Sequence, residues 1–205
     1  MLKKRARIAV IISGGGTNLQ AVLDAQDEGI IKSGEVVLVI SNRKAAYGLE
    51  RAKLKNIEAT VLSKAMVPDP VAHDAMLVQI LKDHNIDVVL LAGYLGIIGE
   101  RVLAGYNNRI INVHPALIPA FSGMGMYGLK VHEAALARGV KLSGATAHLV
   151  NGEVDGGPIL LQKAVEVMES DTPETLQLRI MQRAEWHILP RAAELICRQV
   201  IDREA

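Results

Sequence analysis

The sequence predicts an α/β fold: a Rossmann-like, mostly parallel sheet flanked by helices, with an antiparallel strand pair in the C-terminal half. Three observations carry that prediction. Residues 8–12, 36–40 and 88–91 are unbroken aliphatic runs of strand length, as expected where both faces of a parallel strand are buried. Between them lie stretches with apolar residues at helical spacing, and strands alternating with such helices build parallel sheets through right-handed crossovers. Beyond residue 145 the pattern changes: residues 145–150 alternate, a turn at Asn151-Gly152 follows, and residues 159–167 return as the second strand of a pair.

Composition narrows the function classes. At 205 residues the chain is expected to form a single domain, and with half its residues hydrophobic it can bury a sizeable core. Aromatics are scarce, so aliphatic side chains must fill that core. The formal net charge is +1 with both signs interspersed, which leaves no nucleic-acid or membrane footprint. Cys197 is the only cysteine, so no internal disulfide forms and a reducing, cytoplasmic setting is expected. The basic start, Met1-Leu2-Lys3-Lys4-Arg5-Ala6-Arg7, resembles the opening of a signal peptide, but the apolar run behind it is too short and leads into glycines. It is read as the approach to the first strand. No stretch reaches the ~20 apolar residues of a membrane span.

The first strand ends in Ser13-Gly14-Gly15-Gly16-Thr17-Asn18, followed by Leu19, Val22 and Leu23 at helical spacing. A strand, a glycine-rich turn and a helix together offer backbone N–H groups and a helix N-terminus to a phosphate. The same pattern also suits a tight βα turn. It lacks the Lys-Ser/Thr of a P-loop and the full spacing of a dinucleotide fingerprint, and no acidic residue closes the second strand, so a small phosphorylated molecule is expected in preference to NAD. A helix over residues 45–55 follows, with Leu49 and Ala52 inward, and then a third strand at 59–62. The next helix should carry Met76, Leu77, Ile80 and Leu81 on its inner face. His73 and His84 on or beside it are read as ordinary helix histidines. None of the six histidines pairs at short zinc-binding spacing, so no metal is expected.

The stretch Ile110-Ile111-Asn112-Val113-His114-Pro115 is read as the central strand, stopped by proline. An extended backbone points Asn112 and His114 to one face. An amide donor beside a group that titrates near neutrality, at the open end of a parallel sheet, can stabilise an oxyanion and move a proton. The glycine- and methionine-rich stretch from Ser122 to Gly128 is either a mobile wall or a plain connection, and residues 131–138 form a helix. In Asp155-Gly156-Gly157-Pro158 a tight loop presents a carboxylate to whatever lies opposite, unless it is only an Asp-Gly turn. Thr172-Pro173 opens the last helical region, with Leu176, Ile180 and Ala184 inward and a break or restart expected at Pro190.

Taken together, Ser13-Gly14-Gly15-Gly16-Thr17-Asn18-Leu19-Gln20, Leu91-Ala92-Gly93-Tyr94, Asn112-Val113-His114-Pro115 and Asp155-Gly156-Gly157-Pro158 resemble, in order and spacing, the phosphoribosylglycinamide formyltransferase branch of the folate-dependent formyltransferase superfamily. The resemblance covers nearly the whole chain. It implies transfer of a formyl group from 10-formyltetrahydrofolate to a glycinamide amine in purine biosynthesis, with no metal. By the same resemblance Asn112 hydrogen-bonds the oxyanion, and protonated His114 stabilises it and gives a proton to the departing folate nitrogen. Asp155 would raise the pKa of His114 and orient it. Gly16, Thr17, Asn18 and Glu185 would hold the ribonucleotide, while Leu95, Gly96, Ile97 and Ile98, with Asn112, would line the folate site. Residues 1–110 then form the ribonucleotide-binding half and 111–205 the catalytic and folate-binding half. The Ile118-Pro119 bond is expected to be cis.

Gly96 stands where many relatives carry Arg or Lys, and Pro70 lies near a position that is often basic. Contacts to the folate tail are therefore expected to be weak or supplied elsewhere. The partners implied are small molecules only, and a homodimer is left open. Two alternatives accompany this expectation: another folate-dependent formyl enzyme, such as a deformylase using water, and a non-catalytic nucleotide-binding relative. A tRNA formyltransferase should bring a separate basic RNA-binding domain, which is not expected in a chain ending at Ala205.

Overall fold

The computed structural model describes residues 5–204. The basic start at Met1 to Lys4 lies outside the described residues. Seven strands form one sheet: β1 (Ala6–Ile12), β2 (Gly34–Ser41), β3 (Glu58–Val61), β4 (Val88–Leu91), β5 (Ile110–His114), β6 (Leu142–Leu149) and β7 (Ile159–Glu166). Their order across the sheet is β3-β2-β1-β4-β5-β6-β7. The first five pair in parallel, whereas β6 runs antiparallel to both β5 and β7. The predicted antiparallel pair is therefore present and extends to β5. The middle position belongs to β4, so the Asn112 strand stands one place off centre.

Helices α1 (Thr17–Asp27), α2 (Gly48–Leu54), α3 (Pro70–Asp83), α4 (Glu100–Gly105), α5 (Leu129–Arg138), α6 (Pro173–Ile180) and α7 (Trp186–Glu204) cover the sheet. Along β1, Ile8, Val10 and Ile12 enter one core cluster and Ala9 and Ile11 the other. This alternation within an all-aliphatic run is what burial on both faces requires. The same alternation sends Ile111 and Val113 of β5 and Ala145 and Ala147 of β6 into the first cluster, leaving Asn112, His114, Thr146 and His148 on the opposite face.

Three local expectations are corrected. Met76 is 45% exposed, because the buried side of α3 is Asp74, Leu77 and Leu81. Helix α4 went unpredicted: it is six residues long with one buried side chain, Val102, too short for periodicity to register. Pro190 does not break the last helix. The interruption falls earlier, in a π-helical segment at Met181–Glu185, and Pro190 lies inside α7 without ending it. The Ile118-Pro119 peptide is cis, as expected.

Candidate active site

The carboxyl ends of β1, β4 and β5 open at one edge of the sheet, and each supplies part of a single cleft. Ile11 pairs with Leu91 and Leu91 with Asn112, so the loop after β1 and the end of β5 are two strand spacings apart, about 10 Å. That span suits a ligand with a phosphate at one end and a reacting group at the other.

At the β1 end the chain turns through Gly14, Gly15 and Gly16 into α1. Gly16 has φ +70°, and a Cβ there would come within 2.7 Å of the Gly48 Cα, so glycine is demanded twice. No acidic residue stands in the first turn of α1, leaving its positive end unneutralised by its own sequence. Arg51, a residue the sequence reading did not single out, donates from Nε to the Gly15 carbonyl at 2.9 Å and from Nη1 to Gln20 Oε1 at 2.9 Å. It braces the loop and adds a positive charge beside it. Asn18 Nδ2 donates to Glu185 Oε2 at 2.6 Å across 167 residues of chain. Glu185 ends the π-helical segment and is 6% exposed; burial raises its pKa to about 7, partly opposed by the Asn18 hydrogen bond. The residues expected to hold the ribonucleotide are therefore brought together.

The segment after β4 is fixed at both ends. The Leu95 N–H donates to Ser13 Oγ at 2.9 Å, and the Arg101 N–H to Asp74 Oδ2 at 2.8 Å. Leu95 and Ile97 are exposed at 54% and 74%, while the Ile98 side chain packs in the core. Gly96 has a steric reason: a Cβ there would meet the Tyr94 ring, 2.8 Å from Cε1. A longer basic side chain at this position would require Tyr94 to move.

At the β5 end Asn112, His114 and Asp155 converge. His114 Nδ1 lies 3.4 Å from Asp155 Oδ2, and Asn112 Nδ2 lies 3.5 Å from Asp155 Oδ1. The Gly123 N–H donates to Asp155 Oδ2 at 2.9 Å, and His114 Nε2 is 2.8 Å from the Phe121 carbonyl. Asp155 reaches the site because its own φ is +57° and because Gly157 packs against the end of β6, where a Cβ would lie 2.8 Å from the Leu149 carbonyl carbon. Thr146, fully buried opposite His114, donates to the Ala116 carbonyl and accepts from the Ile118 N–H, which secures the chain after Pro115.

Burial pushes the His114 pKa below its ordinary value, and the opposing effect of Asp155 does not make up the difference. Asp155 does raise it, as expected, but the net direction is down. For Asp155 itself burial pushes upward, yet its polar surroundings, the Gly123 N–H among them, hold the carboxyl below its usual range. His148, 2% exposed and paired with Asn112 across the β5–β6 ladder, was missed in the sequence. Its one signal was a polar side chain two residues after Thr146 in an alternating strand, and nothing local reveals the register that places it here. Among the described residues no group of three or more His, Cys, Asp or Glu is arranged to hold a metal, and no helix is long and apolar enough to cross a membrane.

Comparison with known proteins gives the same assignment. Residues 6–193 match the formyl transferase family. The structure of glycinamide ribonucleotide transformylase 1 from Symbiobacterium toebii superposes with a TM-score of 0.89 at 45% identity, over 95% of this chain and 89% of that one. The chloroplastic phosphoribosylglycinamide formyltransferase of Arabidopsis thaliana is 42% identical over 87% of this chain, which spans 61% of that protein. The human trifunctional purine biosynthetic protein adenosine-3 is 39% identical over 95% of this chain, which spans 18% of it. The chain thus covers less than two thirds of the length of both these curated relatives. The chain belongs to the formyl transferase family, among the phosphoribosylglycinamide formyltransferases.

Proposed function

We propose that the chain transfers the formyl group of 10-formyltetrahydrofolate to the amine of 5-phosphoribosylglycinamide, a step of de novo purine biosynthesis. The observation that carries this reading is the convergence of Asn112, His114 and Asp155 two strands from a glycine loop built for a phosphate. Gly16, Thr17 and Asn18 offer backbone N–H groups to the phosphate, with Glu185 beneath Asn18 turned toward the ribose. Leu95, Gly96 and Ile97, with the Ile98 backbone, receive the donor's ring system.

In the reaction the amine forms a bond to the formyl carbon and an oxyanion develops, to which Asn112 donates an N–H. His114 acts from its neutral form, which burial favours over the charged one. It takes the proton that the amine loses. Charge growing on the oxyanion and the ionised Asp155 both favour the imidazolium formed. His114 then returns the proton to the folate nitrogen as the bond from that nitrogen to the formyl carbon breaks. The products are the formylated ribonucleotide and tetrahydrofolate. The Phe121 carbonyl holds the ring nitrogen turned from Asp155, so substrate displaces that contact. The remainder of the reading is a cytoplasmic enzyme with small-molecule partners, for which the free, buried thiol of Cys197 is the support.

The test is consumption of 10-formyltetrahydrofolate with and without glycinamide ribonucleotide. The reading expects consumption only with the amine present. Release of formate at the same rate without it would assign a deformylase instead, and no consumption under either condition would assign a non-catalytic relative.

A further inference from the structure

One buried side chain at the reacting centre has no part in the chemistry above. His148 Nδ1 lies 2.9 Å from the Leu149 carbonyl oxygen, which can only accept, so Nδ1 carries the proton. A neutral imidazole has a single ring proton, and Nε2 therefore presents a lone pair. Asn112 Nδ2, which can only donate, stands 3.2 Å from it. Asp155 Oδ1 lies 3.5 Å from the same Nδ2 and 3.6 Å from His148 Nε2. Both neighbours on that side of the amide are acceptors. A carboxamide turned through 180° would set its oxygen against a lone pair and a carboxylate, so only one of its two orientations is tolerated. A proton on Nε2, by contrast, would leave two donors facing each other across 3.2 Å.

We infer that His148 is a positioning residue for the proposed reaction: as a neutral acceptor it fixes the Asn112 carboxamide, engaging one N–H and leaving the other, held only by the long contact to Asp155, for the oxyanion. The inference rests on the reading of Asn112 as the oxyanion donor. Asp155 alone does not do this work, since 3.5 Å is at the limit of a hydrogen bond.

Two measurements test it. On the unaltered protein labelled with ¹⁵N-histidine, ring nitrogen–proton correlations are expected to show His148 protonated at Nδ1 and bare at Nε2; a proton on Nε2 overturns the inference whether or not any variant folds. In steady-state kinetics His148→Leu is expected to lower kcat about tenfold or more, with KM for either substrate nearly unchanged. His148→Gln, which keeps an acceptor, should recover much of that loss. In an Asn112→Ala background, His148→Leu should cost little further. Equal losses in the Leu and Gln variants, or an undiminished loss in the Asn112→Ala background, would overturn the inference and leave the catalytic reading standing. An Asn112→Ala variant with unaltered kcat would instead overturn the reading itself.

Discussion

The two ends of the cleft are built on different principles. The β1 end is largely backbone: three glycines and the first turn of α1, contiguous in sequence, with Arg51 and Glu185 bracing it from elsewhere. The β5 end is made of side chains from β5, β6 and the loop that carries Asp155, linked pairwise at 3.2–3.6 Å by strand register and by the conformation of that loop. A backbone cradle tolerates side-chain change and is sensitive to conformation, whereas a side-chain cluster is the reverse. The first end should therefore govern affinity for one substrate and the second the rate of the chemical step.

The sharpest expected break is at the side-chain end. Asp155→Asn keeps the size and an acceptor for the Gly123 N–H but removes the charge that favours an imidazolium at His114. We expect kcat to fall by ~10²–10³ with KM for both substrates little altered, read by steady-state kinetics. A loss confined to KM would erase the contrast between the two ends.

At the backbone end Gly16→Ala should act through conformation. A left-handed φ costs a non-glycine residue about 1 kcal/mol, and the Gly48 backbone stands in the way of the new Cβ. A lower melting temperature and about a tenfold rise in KM for the ribonucleotide are expected, with KM for the folate donor unmoved. A smaller effect in the same direction is expected for Asn18→Ala, several-fold in ribonucleotide KM, because the backbone N–H survives and only the bond to Glu185 is lost. Equal changes for both substrates would count against the phosphate assignment.

The last expected effect is one of stability. Folded Glu185 keeps its proton up to about pH 7, whereas in the unfolded chain it releases it near 4.5. Between those values the folded state binds the extra proton, so this group's contribution to stability declines as pH rises through the window and stays low above it. Glu185→Gln removes that decline. The variant should match the wild type near pH 4.5 and exceed it at pH 8 by on the order of 1–3 kcal/mol in denaturant unfolding, while binding the ribonucleotide less well. No gain at pH 8 would show that Glu185 is ionised without penalty.

What could be read from the sequence follows the same division. The glycine loop, the aliphatic strands and the shared face of Asn112 and His114 are local patterns, and each is present as expected. The gathering of Asp155 into the site could be drawn from resemblance but not from spacing, because it depends on a left-handed φ at Asp155 and on Gly157 against β6. His148 and Arg51 escaped notice because their neighbours are supplied by register and crossover, which no local period encodes. Pro190 misled because a proline is the strongest local stop signal, while the actual irregularity, the π-helical turn that carries Glu185, has no proline in it.

The central claim is that His114 moves the proton of formyl transfer. It is tested most directly by the single-turnover rate of His114→Ala at saturating concentrations of both substrates, in protein whose circular dichroism and melting match the wild type. The account predicts a fall of at least ~10² with both substrates still bound. A variant that transfers formyl at the wild-type rate would contradict it.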